Sequence, residues 1–324
     1  MSARLATFAG ALLASLPAIA NAQHVPLPPV NLGGSSFVDG AGGPGVMAEV
    51  ITTAKRAERF TDANGSTLPG DRSLTAFVVA PHLVVALPGS LLGFHYAADV
   101  VLPIVQVSVH DGTNGARGGG VGDVVVNPVV LQGRPLSVSG RPLFAHRLSL
   151  GAVLPTGAYD PTAPVNAGSN VMSFNPYYAF TVFWTPELET SVRVHYLTSS
   201  TNERPPSAFA GAGQIRPGDA IHANAAVSYA LTPDVRVGVT GYGLSQISDA
   251  RIDGRSVPDS HERVLGIGPG VRVALGGLIV RANANYELGV EARPAGFTTT
   301  LSLAYVWPFE ERTATAQGTS ERRP

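Results

Sequence analysis

Residues 296–309, GFTTTLSLAYVWPF, alternate strictly: Phe297, Thr299, Leu301, Leu303, Tyr305, Trp307 and Phe309 fall on one side, Thr298, Thr300, Ser302, Ala304 and Val306 on the other. Side chains of a strand point to opposite faces with a period of two. The stretch therefore predicts a strand with one greasy, aromatic-ended face and one small, mostly hydroxylated face. Other segments repeat the pattern. In 278–290, Leu278, Val280, Ala282, Ala284, Tyr286, Leu288 and Val290 oppose Arg281, Asn283, Asn285 and Glu287. Val192, Val194 and Tyr196 oppose Ser191, Arg193 and His195, and Ile221, Ala223, Ala225, Val227 and Tyr229 oppose His222, Asn224 and Ser228. Val235, Val237 and Val239 oppose Arg236 and Thr240, while Leu265, Ile267, Val271 and Val273 oppose glycines and Arg272.

Seven such strands fit from residue 174 onward. Five more fit near 46–59, 74–87, 91–110, 121–132 and 143–154, with 46–59 also readable as a short helix. About twelve strands result, and an even number puts both ends of a barrel on one side, as bacterial barrels require. The connections tend to alternate. Those at 185–187, 232–234 and 276–277 are tight, whereas 155–173, 199–217 and 247–261 are long; the short connection at 292–295 is an exception. The pattern predicts an all-β fold, an antiparallel transmembrane β-barrel with short periplasmic turns and longer outer loops. A β-sandwich would bury one face of each strand and leave the other in water. Strands of roughly 10–13 residues and aromatic ends argue for lipid instead. Tyr177, Tyr178, Trp184, Tyr196, Tyr305, Trp307 and Phe309 lie near strand ends, where an interfacial aromatic girdle belongs.

Composition narrows the picture further. The first 22 residues carry one arginine, a short apolar run and Ala20-Asn21-Ala22, the form of a cleaved secretory signal. Residues 23–45 form a Gly/Pro-rich lead-in or plug, 46–309 the barrel, and 310–324 a polar, disordered tail. No later stretch reaches 18 uninterrupted apolar residues, which excludes a helical membrane protein. The chain has no cysteine, a net charge of −1 and 14% charged residues, so neither thiolate chemistry nor a nucleic-acid footprint is implied. The eight histidines show no metal-ligand spacing, and no metal or other cofactor is expected.

Several phrases, taken in order, point to one family. They are NLGGSSFVDGAGGPG at 31–45, GVGDVVVNPVVLQ at 120–132, LPTGAYD at 154–160, NPYYAFTVFWTPELETSVRVHYL at 175–197, GYGLSQISDARIDG at 241–254 and ERVLGIGPGV at 262–271. Together they resemble the outer-membrane family of phenol meta-pathway degradation proteins, also called SphA-family proteins. The similarity covers about residues 30–309. It departs at 165–170 and in the tail beyond Phe309, where the final strand would otherwise offer the terminal signal read by the barrel-assembly machinery. The resemblance implies a barrel of the bacterial outer membrane associated with aromatic or other hydrophobic compounds, and it carries no catalytic residues over.

Two motifs invite other readings. Gly40 to Gly45 satisfy G-x-G-x-x-G, but no strand clearly precedes them and Pro44 lies inside, so they fit an inner segment better than a dinucleotide site. A barrel-borne lipid hydrolase would need a serine and a histidine in hydrogen-bond reach; Ser191 with His195 and Ser228 with His222 are the weak candidates. A non-transport surface barrel is the remaining alternative. The favoured function is passive passage of small hydrophobic or aromatic solutes through a narrow lumen. Arg193, His195, His222, Asn224, Arg236, Arg272, Arg281, Asn283, Asn285 and Glu287 are expected to line it, with membrane lipid against the outer face.

Overall fold

The computed structural model describes residues 24–35, 37–112 and 114–309. The leader expected over 1–22 and the tail expected over 310–324 lie outside them. Twelve antiparallel strands form the wall: β1 (Gly45–Phe60), β2 (Arg72–Ala86), β3 (Phe94–Val101), β4 (Val124–Gly133), β5 (Arg141–Leu154), β6 (Tyr177–Phe183), β7 (Leu188–Ser199), β8 (Ala220–Ala230), β9 (Val235–Gln246), β10 (Arg263–Leu275), β11 (Leu278–Glu291) and β12 (Pro294–Pro308). Each pairs with its neighbour in sequence. The sheet closes on itself because β1 pairs with β2 on one side, Gly45↔Ala86 to Ala57↔Leu74, and with β12 on the other, Gly45↔Pro308 to Phe60↔Pro294. Closure pairs each of the twelve wall strands on both sides. Pairing on both flanks also decides the ambiguity at 46–59, which is strand.

The alternation sorts the two faces as the chemistry requires. Leu301, Leu303, Tyr305 and Trp307 are outward and exposed, while Thr298, Thr300, Ser302 and Ala304 are inward and buried. Exposed Tyr286 and Phe297 mark one end of the wall, and Trp184, Tyr305 and Trp307 the other. Phe297 and Trp307 are ten residues apart on β12. At about 3.3 Å per residue and a tilt of about 40°, that separation is about 25 Å of height, the apolar band of a membrane barrel.

The expected strand over 91–110 is broken. After Val101 the chain turns at Leu102-Pro103, and a second leg, Ile104–Asp111, runs on along the upper part of β2 before returning through Asn114–Val121. Proline has no amide for the ladder and favours such a break. The returning leg, NGARGGGV, has almost no side chains to show alternation, so nothing in its pattern predicts a strand. This hairpin rises past the wall and buries Val107 and Val109 with Ala57, Phe60, Leu74 and Val165. Long connections lie at the same end, at 61–71, 155–176, 200–219 and 247–262; the pair 292–293 is its short exception. The opposite end carries the tight turns.

Candidate functional site

The lumen is occupied by the chain itself. The segment 24–44 runs through it from the long-loop end to the start of β1 and touches the wall at many of its described residues. At the long-loop end, Glu262 accepts from the Leu27 amide at 2.7 Å, from His24 Nε2 at 3.1 Å and from Arg293. Burial pushes the Glu262 carboxyl up, but Arg293, then His24 and the Leu27 amide, outweigh it and hold the group at about 2. Below this, Leu27 joins an apolar cluster with Leu197, Tyr242, Leu244, Val264 and Val290, against which Val30 and Leu32 also pack.

From Asn31 the contacts become polar. The Asn224 side chain accepts from the Gly33 amide at 2.6 Å and donates to the Asn31 carbonyl at 2.9 Å. Asn283 donates to the Gly33 carbonyl at 2.9 Å. Gly33 has φ +79°, and a Cβ there would press on the Tyr242 ring at 3.3 Å, so the position suits glycine alone. Phe37 is fully buried above Gly270. Asp39 then receives Arg193 in a two-pronged pair, Nε to Oδ2 at 2.8 Å and Nη2 to Oδ1 at 2.5 Å, with Arg147 at 3.3 Å. Gly40 lies flat on the wall. Its amide donates to Thr181 Oγ1 at 2.9 Å, its carbonyl accepts from Gln132, and a Cβ would stand 2.5 Å from the Thr181 backbone nitrogen. The glycine-rich motif is therefore a surface for close backbone contact.

All ten residues expected along the lumen project inward. His195 and His222 sit directly opposite each other on β7 and β8, stacked at 4.2 Å, with Asn175 Oδ1 3.2 Å from a nitrogen of each. Arg281 donates to Ser302 Oγ and to Glu49. Glu287 is paired with Lys55 at 2.6 Å and accepts from Tyr242. Asn285 bonds Asn283 and Thr240. Arg236 donates to the Glu187 carbonyl and Ser228, while Arg272 lies between Arg236 and Arg281. Of the aromatic residues expected at the lipid boundary, Tyr178, Trp184, Tyr196, Tyr305, Trp307 and Phe309 are exposed on the outside. Tyr177 is not among them. Consecutive strand residues face opposite ways, so with Tyr178 outward Tyr177 must turn in, where it is buried against His195 and under the Arg193 guanidinium. Ser191 and Ser228 both donate to Glu189, and among the described residues neither bonds an imidazole.

Asp39, Glu49, Lys55, Arg147 and Glu189 were not anticipated in the lumen. Glu49, Ile51, Thr53 and Lys55 alternate with Val50, Thr52 and Ala54, which was the available signal. Asp39 offers none, since its partners stand 108 and 154 residues away.

A family model described as "Putative MetA-pathway of phenol degradation" matches residues 57–303. The chain belongs to that family. This member of the phenol-degradation family is also similar in fold to the COG4313 outer membrane channel from Pseudomonas putida F1, with a TM-score of 0.73 at 17% identity, over 82% of this chain and 97% of that one. The beta domain of the Bordetella autotransporter BrkA is more distant, at a TM-score of 0.48 and 13% identity over 81% of this chain and 100% of that one. No curated protein is significantly similar to this family member in sequence.

Proposed function

We propose that the protein is a channel of the bacterial outer membrane that passes small, mainly hydrophobic or aromatic solutes by diffusion, with residues 24–44 as its plug. In this reading the tight-turn end faces the periplasm, and a leader over 1–22 delivers the chain to the envelope. The observation that carries the proposal is the way the lumen is filled. The filling segment runs into the wall at Gly45, and its other attachments among the described residues are hydrogen bonds, ion pairs and apolar contacts, all of which can be released and remade. A wall needed only as scaffold would gain more from a lumen packed by its own side chains, as in eight-stranded barrels. The 25 Å apolar band supports the membrane, and the fold shared with a solved outer membrane channel supports the class of function.

The test is planar-bilayer conductance of the refolded chain from Gln23 onward, beside a version lacking 23–44. Discrete steps in the full chain, or in the truncated form alone, are the expected results; the second also makes the segment the gate. Silence from both, when heat-modifiable gel mobility shows folded barrels, overturns the channel.

A further inference from the structure

Three arginines stand side by side on the lumen wall. Arg236 on β9 is directly opposite Arg272 on β10, and Arg272 is directly opposite Arg281 on β11. Directly opposed residues have Cβ atoms about 5 Å apart, and like charges so placed destabilise the sheet. Each strand pair would lose less by carrying a neutral residue at one of these positions. The wall nonetheless keeps three.

Their negative neighbours are mostly engaged elsewhere. Glu49 accepts from Arg281 but is shared with His82 Nδ1 at 3.0 Å. Glu189 accepts from Ser228, from Ser191 at 2.7 Å and from the Val38 amide at 3.4 Å. Arg236 donates only to neutral oxygens, the Glu187 and Pro186 carbonyls and Ser228 Oγ. Arg272, the middle member, has Arg281, Arg236 and Glu189 as its charged neighbours, and it makes no hydrogen bond or ion pair among the described residues. An arginine with five donors and no acceptor, flanked by two more, is the pattern that an oxyanion satisfies. The guanidinium fork matches a carboxylate or phosphate edge with two parallel hydrogen bonds.

The position makes the row reachable. Arg272 and Arg281 each lie three residues from the 276–277 turn, about 10 Å inside the tight-turn end. Phe37 of the threaded segment covers Gly270, one layer deeper than Arg272. Between the row and the outside the segment narrows to Gly42 and Gly43, both exposed. A small anion entering from this end meets the arginines without displacing the plug.

We propose that Arg236, Arg272 and Arg281 form a binding site for a small oxyanion, a carboxylate or phosphate group, in the vestibule at the tight-turn end of the lumen. As a statement about what the channel carries, this rests on the channel reading; as a statement about binding, it does not.

Isothermal titration of the refolded chain from Gln23 onward in detergent tests it, with benzoate, acetate and inorganic phosphate as probes and phenol as the uncharged counterpart of benzoate. At least one oxyanion should bind at about 0.05 M salt and at least about tenfold more weakly at 0.5 M, where the Debye length has shrunk to about 4 Å. Arg272→Gln should weaken that binding by about tenfold or more, Arg272→Lys by less, and neither should alter any response to phenol. Arg272 makes no hydrogen bond or ion pair among the described residues, so Arg272→Gln should retain heat-modifiable mobility and remain a fair test. Benzoate and acetate binding without phosphate assigns the site to carboxylates, and the reverse assigns it to phosphates. Failure of every oxyanion to bind the folded protein, or binding unaffected by Arg272→Gln, overturns the site. Binding with a silent bilayer would sink the channel and keep the site; conduction without binding would do the opposite.

Discussion

The two halves of the threaded segment are held by different physics. Toward the long loops, Leu27, Val30 and Leu32 lie against Leu197, Leu244, Val264 and Val290, and the attraction is burial, with Glu262 as a single charged anchor. Toward the tight turns Phe37 is buried over Gly270, but most of the attachments are polar. There Asp39 between Arg193 and Arg147, and the flat backbone of Gly40 on Thr181, hold it by charge-assisted and backbone hydrogen bonds. Apolar burial is non-directional and is not weakened by screening. An ion pair depends on direction and is weakened by screening, and it becomes a liability when one member is lost. The two halves should therefore respond to different changes.

The sharpest way to break this comparison is Asp39→Ala, which leaves two guanidiniums without their anion. Removing one partner of a buried pair costs about 3–5 kcal/mol, so hydrogen exchange at 37–42 should quicken strongly while the Leu27 and Val30 amides stay slow. Equal quickening in both places would show a single cooperative attachment. Next in size is Leu27→Ala, for which loss of a buried leucine costs about 2–4 kcal/mol. Exchange should quicken at the amides of residues 27 and 30 and leave Asp39 unaffected, and the double variant should add, the sites being well separated. A smaller and graded effect belongs to pH. The Glu262 carboxyl lies at about 2 against an ordinary 4.5, so its contribution is complete above 4.5 and fades as pH falls toward 2. Exchange of the Leu27 amide followed from pH 6 to 2 checks this; a transition near neutrality would contradict it. Smallest of all should be Arg56→Ala, which removes an exposed pair with Glu58 and should change stability by no more than about 0.5 kcal/mol in a urea titration.

Much of the wall was legible before the structure, because a strand between lipid and a polar lumen must alternate, and twelve alternating runs can be counted. What failed to show was whatever lacked side chains or local partners. The leg Asn114–Val121 is half glycine, so its alternation is invisible. Tyr177 was misplaced by its position near a strand end, although its adjacency to Tyr178 already implied opposite faces. The ten lumen positions followed from parity alone. Their partners did not: Asp39 meets Arg193 only because the segment doubles back through a barrel that is built later in the chain.

The glycines of β10 bear on the shape of the passage. Gly266 and Gly270 carry no side chain on the inward face, and neighbouring groups fill the space: the Tyr242 ring lies over Gly266, and Thr240 and Phe37 lie over Gly270. Strands β5 to β7 instead project the longer polar side chains of Arg147, Glu189, Arg193 and His195. A methyl group added at Gly270 would press on Thr240 and the Phe37 ring, so the smallest possible change to the wall at that point acts directly on the threaded segment.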